Sequence, residues 1–361
     1  MDEARDTNTG EVRRDGQQYG VSDVVDRIAN QSARIHINTG AVCNNNCIFC
    51  MEEDRDAREV ENGAITGEHV RSILDRHRGA EEICYTSGEP TTNPALPEYV
   101  RWARERGYGR VSVMTNGRML SQVAYAQKLV TVGMNRFYVS IHGHTAKLHD
   151  ALTRTPGSFE QTVRGLDVLK ILRARFPLDV HTSTVITNRN LPHLAEIYAH
   201  LRSHGVDQVV FNVMQANGRA DTYFDQIFPS YRDIAETFRA FVAGAEETKQ
   251  GRPVMAFLVD IPLCTTEGIP DFNRGYVEAH THYGALAEAD RLFGDASAIP
   301  ADRLTAGPLV ELRRADLDST ARRHRDECTP CRYRASCEGV WGNYLKRNGW
   351  DEFVPVPQPA A

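Results

Sequence analysis

The 361-residue sequence lacks several features that mark particular classes of protein. It has no apolar run approaching the roughly 20 residues that cross a bilayer. Its first residues, Met-Asp-Glu-Ala-Arg-Asp, contain no apolar signal-peptide core. The formal charge is −6, with 42 basic and 48 acidic residues intermixed, so no basic face for nucleic acid is indicated. We therefore expect a cytoplasmic globular protein that binds neither membrane nor nucleic acid.

Cysteine is also scarce, but its eight residues are grouped. Three lie within Cys43–Cys50 and three within Cys328–Cys337, whereas Cys84 and Cys264 stand alone. In a cytoplasmic chain, such spacing indicates metal binding rather than disulfide bonds. We expect Cys84, which falls within a predicted strand, to be a small buried apolar residue instead.

Segments of strand composition alternate with segments of helical spacing from about residue 33 onwards. Six strand–helix units predict a parallel α/β sheet with crossover helices. The alternation alone fits either a full or partial barrel or a doubly wound open sheet. One further strand is expected at Pro253–Asp260. The six strands are predicted at Arg34–Thr39, Glu82–Thr86, Arg110–Thr115, Arg136–Ile141, Asp179–Ile186 and Gln208–Val213.

The predicted organisation has three parts. Residues 1–30 form a disordered arm, residues 31–260 the barrel and residues 261–361 a C-terminal extension. Thr66, Ser121 and Ser158 are predicted helix caps. The helices are predicted at Gly67–His77, Ala95–Arg106, Gln122–Val132, Phe159–Arg175, Leu194–Ser203 and Ser230–Thr248.

The first cysteine group, Cys43-Asn-Asn-Asn-Cys47-Ile-Phe-Cys50, directly follows the first predicted strand. Three thiolates in one short loop can ligate three irons of a cubane and leave the fourth iron open. A structural zinc site normally has four protein ligands, and no fourth Cys or His follows within the loop. We therefore expect a 4Fe–4S cluster with one open iron, the alternative being three buried cysteines without metal.

The Cys-x3-Cys-x2-Cys spacing, with Phe49 before the third cysteine, resembles the signature of the radical S-adenosylmethionine (SAM) superfamily. Ser87-Gly88-Glu89-Pro90 is similar to the family's Gly-Gly-Glu-Pro element, whose backbone and glutamate hold the amino group of SAM. This resemblance implies a partial (β/α)6 barrel with SAM as a cofactor. It implies cofactor contacts at Phe49, Ser87, Gly88, Glu89, Thr115, Asn116, Ser140, Arg154 and Met214.

The resemblance also assigns roles to individual positions. Asn116 and Ser140 correspond to ribose contacts, Arg154 to a partner of the SAM carboxylate, and Met214 to a neighbour of the adenine. Each has a structural alternative, such as turn chemistry at Asn116 or a solvated surface charge at Arg154. Their shared position after predicted strands favours the functional interpretation, because ligands of parallel α/β folds gather at that edge.

A reaction class is implied by the same resemblance. One electron, from a donor such as flavodoxin or ferredoxin, would cleave SAM to methionine and a 5′-deoxyadenosyl radical that abstracts hydrogen from a substrate in the barrel. His142 and Tyr85 are the candidate catalytic residues. A lone histidine at a strand end is more often a structural hydrogen-bonding residue. Further candidates for lining the substrate cavity are His144, His181, Asn212 and Gln215.

The last cysteine group, Cys328-x2-Cys331-x5-Cys337, is one ligand short of a closed tetrahedral set, and Cys264 is the remaining plausible partner. Spacing alone slightly favours zinc. The pattern nevertheless resembles the SPASM and Twitch extensions of radical SAM enzymes, which carry auxiliary 4Fe–4S clusters. With the upstream Ile-Pro-Leu-Cys264 it is similar to radical SAM maturases of the His-Xaa-Ser peptide system. Four cysteines would hold one auxiliary cluster.

These resemblances imply an oxidoreductase or maturase that modifies a ribosomally made peptide. The residues before the first strand are too few for a separate peptide-binding module. A radical SAM dehydrogenase or epimerase of a small molecule, such as a sugar or antibiotic precursor, is therefore the alternative. A non-catalytic zinc or iron–sulfur protein is the alternative from another class.

Overall fold

The computed structural model describes residues 12–14, 17–19, 34–51, 66–78, 80, 82–214, 218–270, 273, 311–312, 322–337 and 339–359. The strands are β1 (Val12–Arg14), β2 (Gln17–Tyr19), β3 (Arg34–Asn38), β4 (Glu82–Thr86), β5 (Arg110–Thr115), β6 (Arg136–Ser140), β7 (Asp179–Val185), β8 (Gln208–Asn212), β9 (Ala256–Val259), β10 (Glu311–Leu312), β11 (Arg322–Arg323) and β12 (Val340–Trp341). The helices are α1 (Gly67–Arg76), α2 (Leu96–Glu105), α3 (Val123–Thr131), α4 (Ala146–Thr153), α5 (Ser158–Leu172), α6 (Leu194–Ser203), α7 (Arg219–Thr222), α8 (Phe224–Ile227), α9 (Tyr231–Gly244), α10 (Glu246–Lys249) and α11 (Gly342–Asn348).

Strands β3 to β9 form one parallel sheet in sequential order. Strand β10 adds to its outer edge and runs antiparallel to β3. In the part of the chain that the structure describes, β3 and β9 do not pair, so the sheet is a partial rather than a closed barrel. The predicted α/β fold is confirmed. Because the seven strands run parallel, their carboxyl ends share one edge.

Side-chain alternation gives the sheet one apolar and one polar face. On β4, Ile83 and Tyr85 belong to the main apolar core, which the surrounding helices cover. Cys84 and Thr86 point to the opposite face, because successive residues of a strand alternate. That second face lines the interior of the partial barrel.

A buried polar network joins four strands, β4 to β7, towards their amino-terminal ends. Glu82 is 1% exposed and accepts hydrogen bonds from the hydroxyls of Ser112 (2.6 Å) and Tyr138 (3.1 Å). Arg136 pairs with Glu82 at 3.0 Å and with Asp179 at 2.8 Å. Because each charge has a partner, the network can lie in the interior without leaving an isolated ion.

The predicted helices are confirmed to within a few residues, but two of the three predicted caps are wrong. Thr66 does cap α1, since its hydroxyl accepts a hydrogen bond from the third helical N–H. Ser121 instead ends a 3₁₀ turn and donates to the carbonyl of Arg118. Ser158 is the first residue of α5, and its hydroxyl donates to Asp150. Asp150 also accepts the first backbone hydrogen bonds of that helix and so replaces the predicted cap.

Two helical segments differ from the prediction. The single helix expected at Ser230–Thr248 is divided into α9 and α10 at Ala245, which is extended. Helix α4 lies where no helix was predicted, and Thr145 caps its amino terminus. Its eight residues are too short for a clear apolar period, so the sequence pattern could not indicate it.

The C-terminal segment packs on α9 through aromatic side chains. Tyr344 and Phe353 are buried with ring centres 4.6 Å and 5.2 Å from that of Tyr231. Arg322 of β11 pairs with Asp260, just after β9, at 3.1 Å. Most of the predicted arm (1–30) lies outside the described residues. Within it, β1 and β2 pair as an antiparallel hairpin, and the disorder of the arm stays a prediction. None of the described helices is both long and apolar enough to cross a membrane.

Candidate active site

The first three cysteines share one irregular loop that follows β3, at the carboxyl edge of the sheet. Cys43, Cys47 and Cys50 are partly exposed and form no disulfide bond. Backbone hydrogen bonds from Asn46 (3.0 Å) and Ile48 (2.9 Å) connect the loop to the last turn of α4. The residues between the cysteines are therefore held against α4.

The turn after β4 packs directly on this loop. The N–H of Glu89 donates to the carbonyl of Val42 at 2.7 Å. A Cβ on Gly88, whose φ is +57°, would lie 2.5 Å from that carbonyl and 2.7 Å from the carbonyl of Gly40. Ser87 also has a positive φ, 70°, which is uncommon outside glycine. Only glycine fits at position 88, because the cysteine loop occupies the space of a side chain.

The buried carboxylate of Glu89 joins two strand ends. Its Oε1 accepts hydrogen bonds from the Thr91 N–H (3.1 Å) and from the hydroxyls of Thr91 and Thr115 (both 2.5 Å). Its Oε2 accepts the N–H of Asn116 at 2.6 Å. Burial raises the pKa of this carboxyl, and these hydrogen bonds partly offset the rise. The side chain is thus committed to protein donors, and a direct contact with SAM stays a prediction.

Several predicted cofactor contacts surround the same loop. The amide of Asn116 donates to Oδ1 of Asn44, between the first two cysteines, at 2.6 Å. Phe49 and Met214 belong to one small buried apolar cluster. Ser140 ends β6 and is partly exposed on the polar face. The structure therefore brings the cysteine loop together with residues that follow β5 and β8.

Arg154 lies beside the loop but extends outward. It follows α4 with φ 52°, and its side chain is exposed. The guanidinium carbon lies 6.0 Å from the ring centre of Tyr223. The next residue, Thr155, accepts a hydrogen bond from the N–H of Asn46 at 3.2 Å. The backbone at Arg154 thus contacts the loop, while its pairing with a carboxylate stays a prediction.

His142 is buried beneath the cysteine loop. Its ring contacts Phe49 edge to face, with centres 4.6 Å apart. Its Nδ1 accepts the N–H of Val185 at 3.2 Å, so a neutral ring carries its proton on Nε2. Burial, and then the nearby His149, hold the pKa of His142 well below its usual value. The geometry shows a neutral His142 ring that packs against Phe49. A catalytic role of His142 stays a prediction.

Tyr85, the other candidate catalytic residue, points away from the barrel interior. Its hydroxyl donates to the carbonyl of Tyr99 on α2 at 2.6 Å, within the apolar core. The expectation that Tyr85 lines the substrate cavity is therefore wrong, because strand alternation turns it toward the helices. Cys84 is buried as predicted, and burial raises the pKa of its thiol to about 11.

The remaining candidates for lining the substrate cavity lie in different parts of the structure. His181 lies on the polar face, its ring 5.3 Å from that of Tyr138. Asn212 donates to a hydroxyl of β7 at 2.5 Å on the same face. His144 lies instead near the start of α6, and Gln215 lies outside the described residues.

The four later cysteines line one cavity, although one of them is distant in sequence. Cys264, Cys328, Cys331 and Cys337 border a space of about 390 Å³ that is partly open to solvent. Burial and then the charges of the other three thiols raise the pKa of Cys264 to about 12. The structure places Cys264 beside the C-terminal group, and a shared metal site stays a prediction. The thiols belong to the packed interface between the C-terminal segment and the region after β9.

Neither cysteine group is arranged around a single metal ion. Among the residues that the structure describes, no three His, Cys, Asp or Glu side chains form such a site. A cubane does not require this convergence, because each thiolate ligates a different iron. Thiolates are soft donors that serve both iron–sulfur clusters and zinc.

Sequence reasoning missed two residues that shape the site. The Nδ1 of His149 accepts the N–H of His142 at 3.1 Å and so fixes the turn after β6. Arg219 donates to the carbonyl of Cys47 at 2.7 Å across a sequence separation of 172 residues. His149 lies close to Arg154 in the sequence, and Arg154 was a predicted cofactor contact. No local pattern connects Arg219 with the cysteines.

Comparison with known proteins agrees with this geometry. Residues 37–201 match the family model of the radical SAM superfamily. The AdoMet-dependent heme synthase of Methanosarcina barkeri is 30% identical over 201 residues, which cover 55% of each chain. A probable GTP 3′,8-cyclase of Saccharolobus islandicus is 30% identical over 145 residues, or 40% of this chain and 45% of that protein. The chain spans about half the length of the curated relatives it matches.

Two solved structures share the fold at low sequence identity. Streptococcus suis SuiB bound to S-adenosylmethionine superposes with a TM-score of 0.60 at 13% identity, covering 90% of this chain and 76% of that one. The enzyme anSMEcpe with bound AdoMet and Kp18Cys peptide gives 0.55 at 13% identity, covering 89% and 96%. The matched family region contains the cysteine loop and most of the strand ends around it, so residues 37–201 carry a radical SAM domain.

Proposed function

We propose that Cys43, Cys47 and Cys50 hold a 4Fe–4S cluster whose fourth iron takes SAM. The observation that carries this proposal is the packing of the cysteine loop on the turn at Gly88, at the carboxyl edge of the sheet. When bound, the cluster and SAM supply hydrogen-atom abstraction that begins with one-electron reduction. The chain itself holds the loop, orients the cofactor and excludes water.

The residues around the loop divide this work. Asn116 and Ser140 follow or end neighbouring strands and offer polar groups for the ribose, while Arg154 offers a cation for the SAM carboxylate. His142 supports Phe49 from beneath and thereby orients the third cysteine. Since Nδ1 of His142 already accepts a backbone hydrogen bond, this histidine acts as a packing and orienting group.

An auxiliary cluster is the second part of the proposal. The cavity lined by Cys264, Cys328, Cys331 and Cys337 offers four thiolates, enough to ligate all four irons of a cubane. Such a cluster has no open iron, so it would relay electrons or stabilise the C-terminal segment rather than bind substrate. The backbone N–H of Val356 donates to Sγ of Cys331 at 3.3 Å, so the chain itself holds this sulfur in place.

A peptide is the proposed substrate. Two enzymes with the same overall fold have been solved with peptides, namely SuiB with the precursor peptide SuiA and anSMEcpe with the Kp18Cys peptide. The shared fold covers 91% and 89% of this chain. This breadth favours a ribosomally made peptide over other substrates.

A small-molecule substrate is the second candidate. The curated relatives, named as a heme synthase and a probable GTP 3′,8-cyclase, reach 30% identity, against 13% for the peptide-bound structures. That likeness is confined to about half of the chain or less. It therefore supports shared cofactor chemistry more directly than a shared substrate.

Metal analysis after anaerobic reconstitution tests both cluster assignments. We expect about eight irons per chain in the parent, about four in Cys43→Ala and about four in Cys264→Ala. Cys84→Ala is the matched control and should keep the parent iron content, because that buried thiol lies in neither group. About four irons with one zinc in the parent would contradict the auxiliary cluster while leaving the first cluster intact.

The substrate class can be tested separately with cell extracts. Substrate stimulates SAM turnover, so extract fractions are compared before and after digestion with a protease. Loss of stimulation on digestion supports a peptide substrate. Stimulation that survives digestion and passes a small-molecule filter would contradict it and favour the second candidate.

A further inference from the structure

Two arginines from distant parts of the chain contact the segment between the first two cysteines. Arg118, in the 3₁₀ turn after β5, donates through Nη1 to the carbonyl of Asn44 and to Oδ1 of Asn45, the latter at 3.0 Å. Its Nε donates to Gln161 on α5 at 2.6 Å. The guanidinium is thus fixed between α5 and the cysteine loop.

Arg219, the first residue of α7, contacts the other end of the same segment. Its Nη1 donates to Oδ1 of Asn46 at 2.8 Å and to the carbonyl of Cys47 at 2.7 Å. Its backbone N–H donates to the carbonyl of Cys50 at 2.9 Å. A Cβ on the preceding Gly218 would lie only 2.4 Å from a carbonyl of the loop, so the start of α7 lies directly against it.

The three consecutive asparagines acquire a common explanation from these contacts. Asn44, Asn45 and Asn46 each offer a side-chain oxygen to a different residue, which are Asn116, Arg118 and Arg219 respectively. The side chains of Asn44 and Asn45 therefore connect the loop to the turn after β5, and that of Asn46 connects it to the start of α7.

The charge of the two arginines adds a second consequence. All of these side-chain hydrogen bonds of Arg118 and Arg219 go to amide or carbonyl oxygens, which are neutral. Both side chains are partly buried, so solvent screens their charge less than that of a surface residue. Positive charge beside an iron–sulfur cluster stabilises the reduced, more negative state.

We propose that Arg118 and Arg219 are positioning residues that preorganise the cysteine loop and raise the reduction potential of the cluster it holds. This inference rests on the proposed function, in which Cys43, Cys47 and Cys50 ligate that cluster. The paired contacts that each Nη1 makes with the loop account for preorganisation. The charge, which pairs with no acidic side chain among the described residues, accounts for the potential. The two effects separate in the lysine variants, since lysine keeps the charge but carries it on a flexible stem without a planar guanidinium.

Single variants test both parts. Arg118→Gln and Arg219→Gln are compared with the lysine variants and with Arg164→Gln, an exposed control on α5. The measurements are the rate of iron loss to a chelator and the midpoint potential of the cluster, followed by EPR spectroscopy. Cys43→Ala identifies the phase of iron loss and the EPR signal of the cluster in the first cysteine loop, because this variant should lack both.

We expect several-fold faster iron loss and a more negative potential in both glutamine variants. The lysine variants should recover most of the potential but not the slow iron loss, and Arg164→Gln should match the parent. Circular dichroism of each apoprotein checks that the variant folds. Glutamine variants with the parent's rate and potential would overturn the inference, whereas Cys43→Ala with undiminished iron would instead overturn the proposed ligand set.

Discussion

Gly88→Ala measures how tightly the turn after β4 packs on the cysteine loop. The new Cβ would lie 2.5 Å from the carbonyl of Val42 and 2.7 Å from that of Gly40, so the loop or the turn must move. A left-handed φ costs about 1–2 kcal/mol in alanine, and an overpacked contact adds about 1–3 kcal/mol. We therefore expect the free energy of unfolding to fall by about 2–5 kcal/mol and iron retention to fall with it.

Gly251→Ala separates the two contributions. Gly251 also has a left-handed φ, +69°, but a Cβ there would meet no atom within 4 Å. Its replacement should cost only the conformational part, about 1–2 kcal/mol, and leave iron binding unchanged. Urea unfolding of the apoproteins and iron per chain after reconstitution provide the comparison. Equal loss of stability in the two variants, with equal iron, would refute the packing argument.

Three further predictions concern buried polar residues. Burial lowers the pKa of His149 to about 4. Because the unfolded pKa is about 6.5, the neutral folded form contributes its full stabilisation above that pH. This stabilisation is lost as the pH falls toward 4. His149→Asn keeps a hydrogen-bond acceptor but has no titrating ring. The free energy of unfolding in urea, plotted against pH, should therefore vary less in this variant than in the parent, by up to about 3 kcal/mol over that window. An unchanged profile would show that His149 is not the group that titrates. Tyr85→Phe removes the hydrogen bond to Tyr99 and should cost about 1–2 kcal/mol of unfolding free energy, while SAM turnover per folded molecule stays at the parent value. A fall in that turnover would return Tyr85 to the candidate catalytic residues. Glu82→Ala leaves Arg136 without its buried partner and should lower the unfolding free energy by about 3–5 kcal/mol, whereas a loss below 1 kcal/mol would show that water reaches Arg136.

The strands and most helices were predictable because their burial follows the local sequence. Short apolar segments such as Arg110–Thr115 bury one face against helices, and that alternation is visible without a structure. The placement of candidate site residues after strands was predictable for the same reason, since parallel strands end at one edge. The face of the sheet to which each side chain points was harder to predict. Tyr85 was assigned to the wrong face because adjacent strand residues point oppositely, and proximity to the strand end does not reveal which face is inside.

Contacts between distant segments could not be predicted from local patterns. Asp150 supplies the cap of α5 from the preceding helix, so a serine at the expected position was not needed. Arg219 reaches Cys47 across 172 residues, and only the folded chain brings them together. Cys264 is a different case, because the shortage of a fourth thiol near Cys328 already indicated that a distant cysteine was required.

The central claim is that the loop containing Cys43 holds the cluster at which SAM is cleaved. Its most direct test is 5′-deoxyadenosine formation under dithionite by the reconstituted Cys43→Ala protein, with Cys84→Ala as the matched control. We predict product from the parent and from Cys84→Ala at similar rates per folded molecule, and none from Cys43→Ala. Sustained 5′-deoxyadenosine formation by Cys43→Ala would contradict the account.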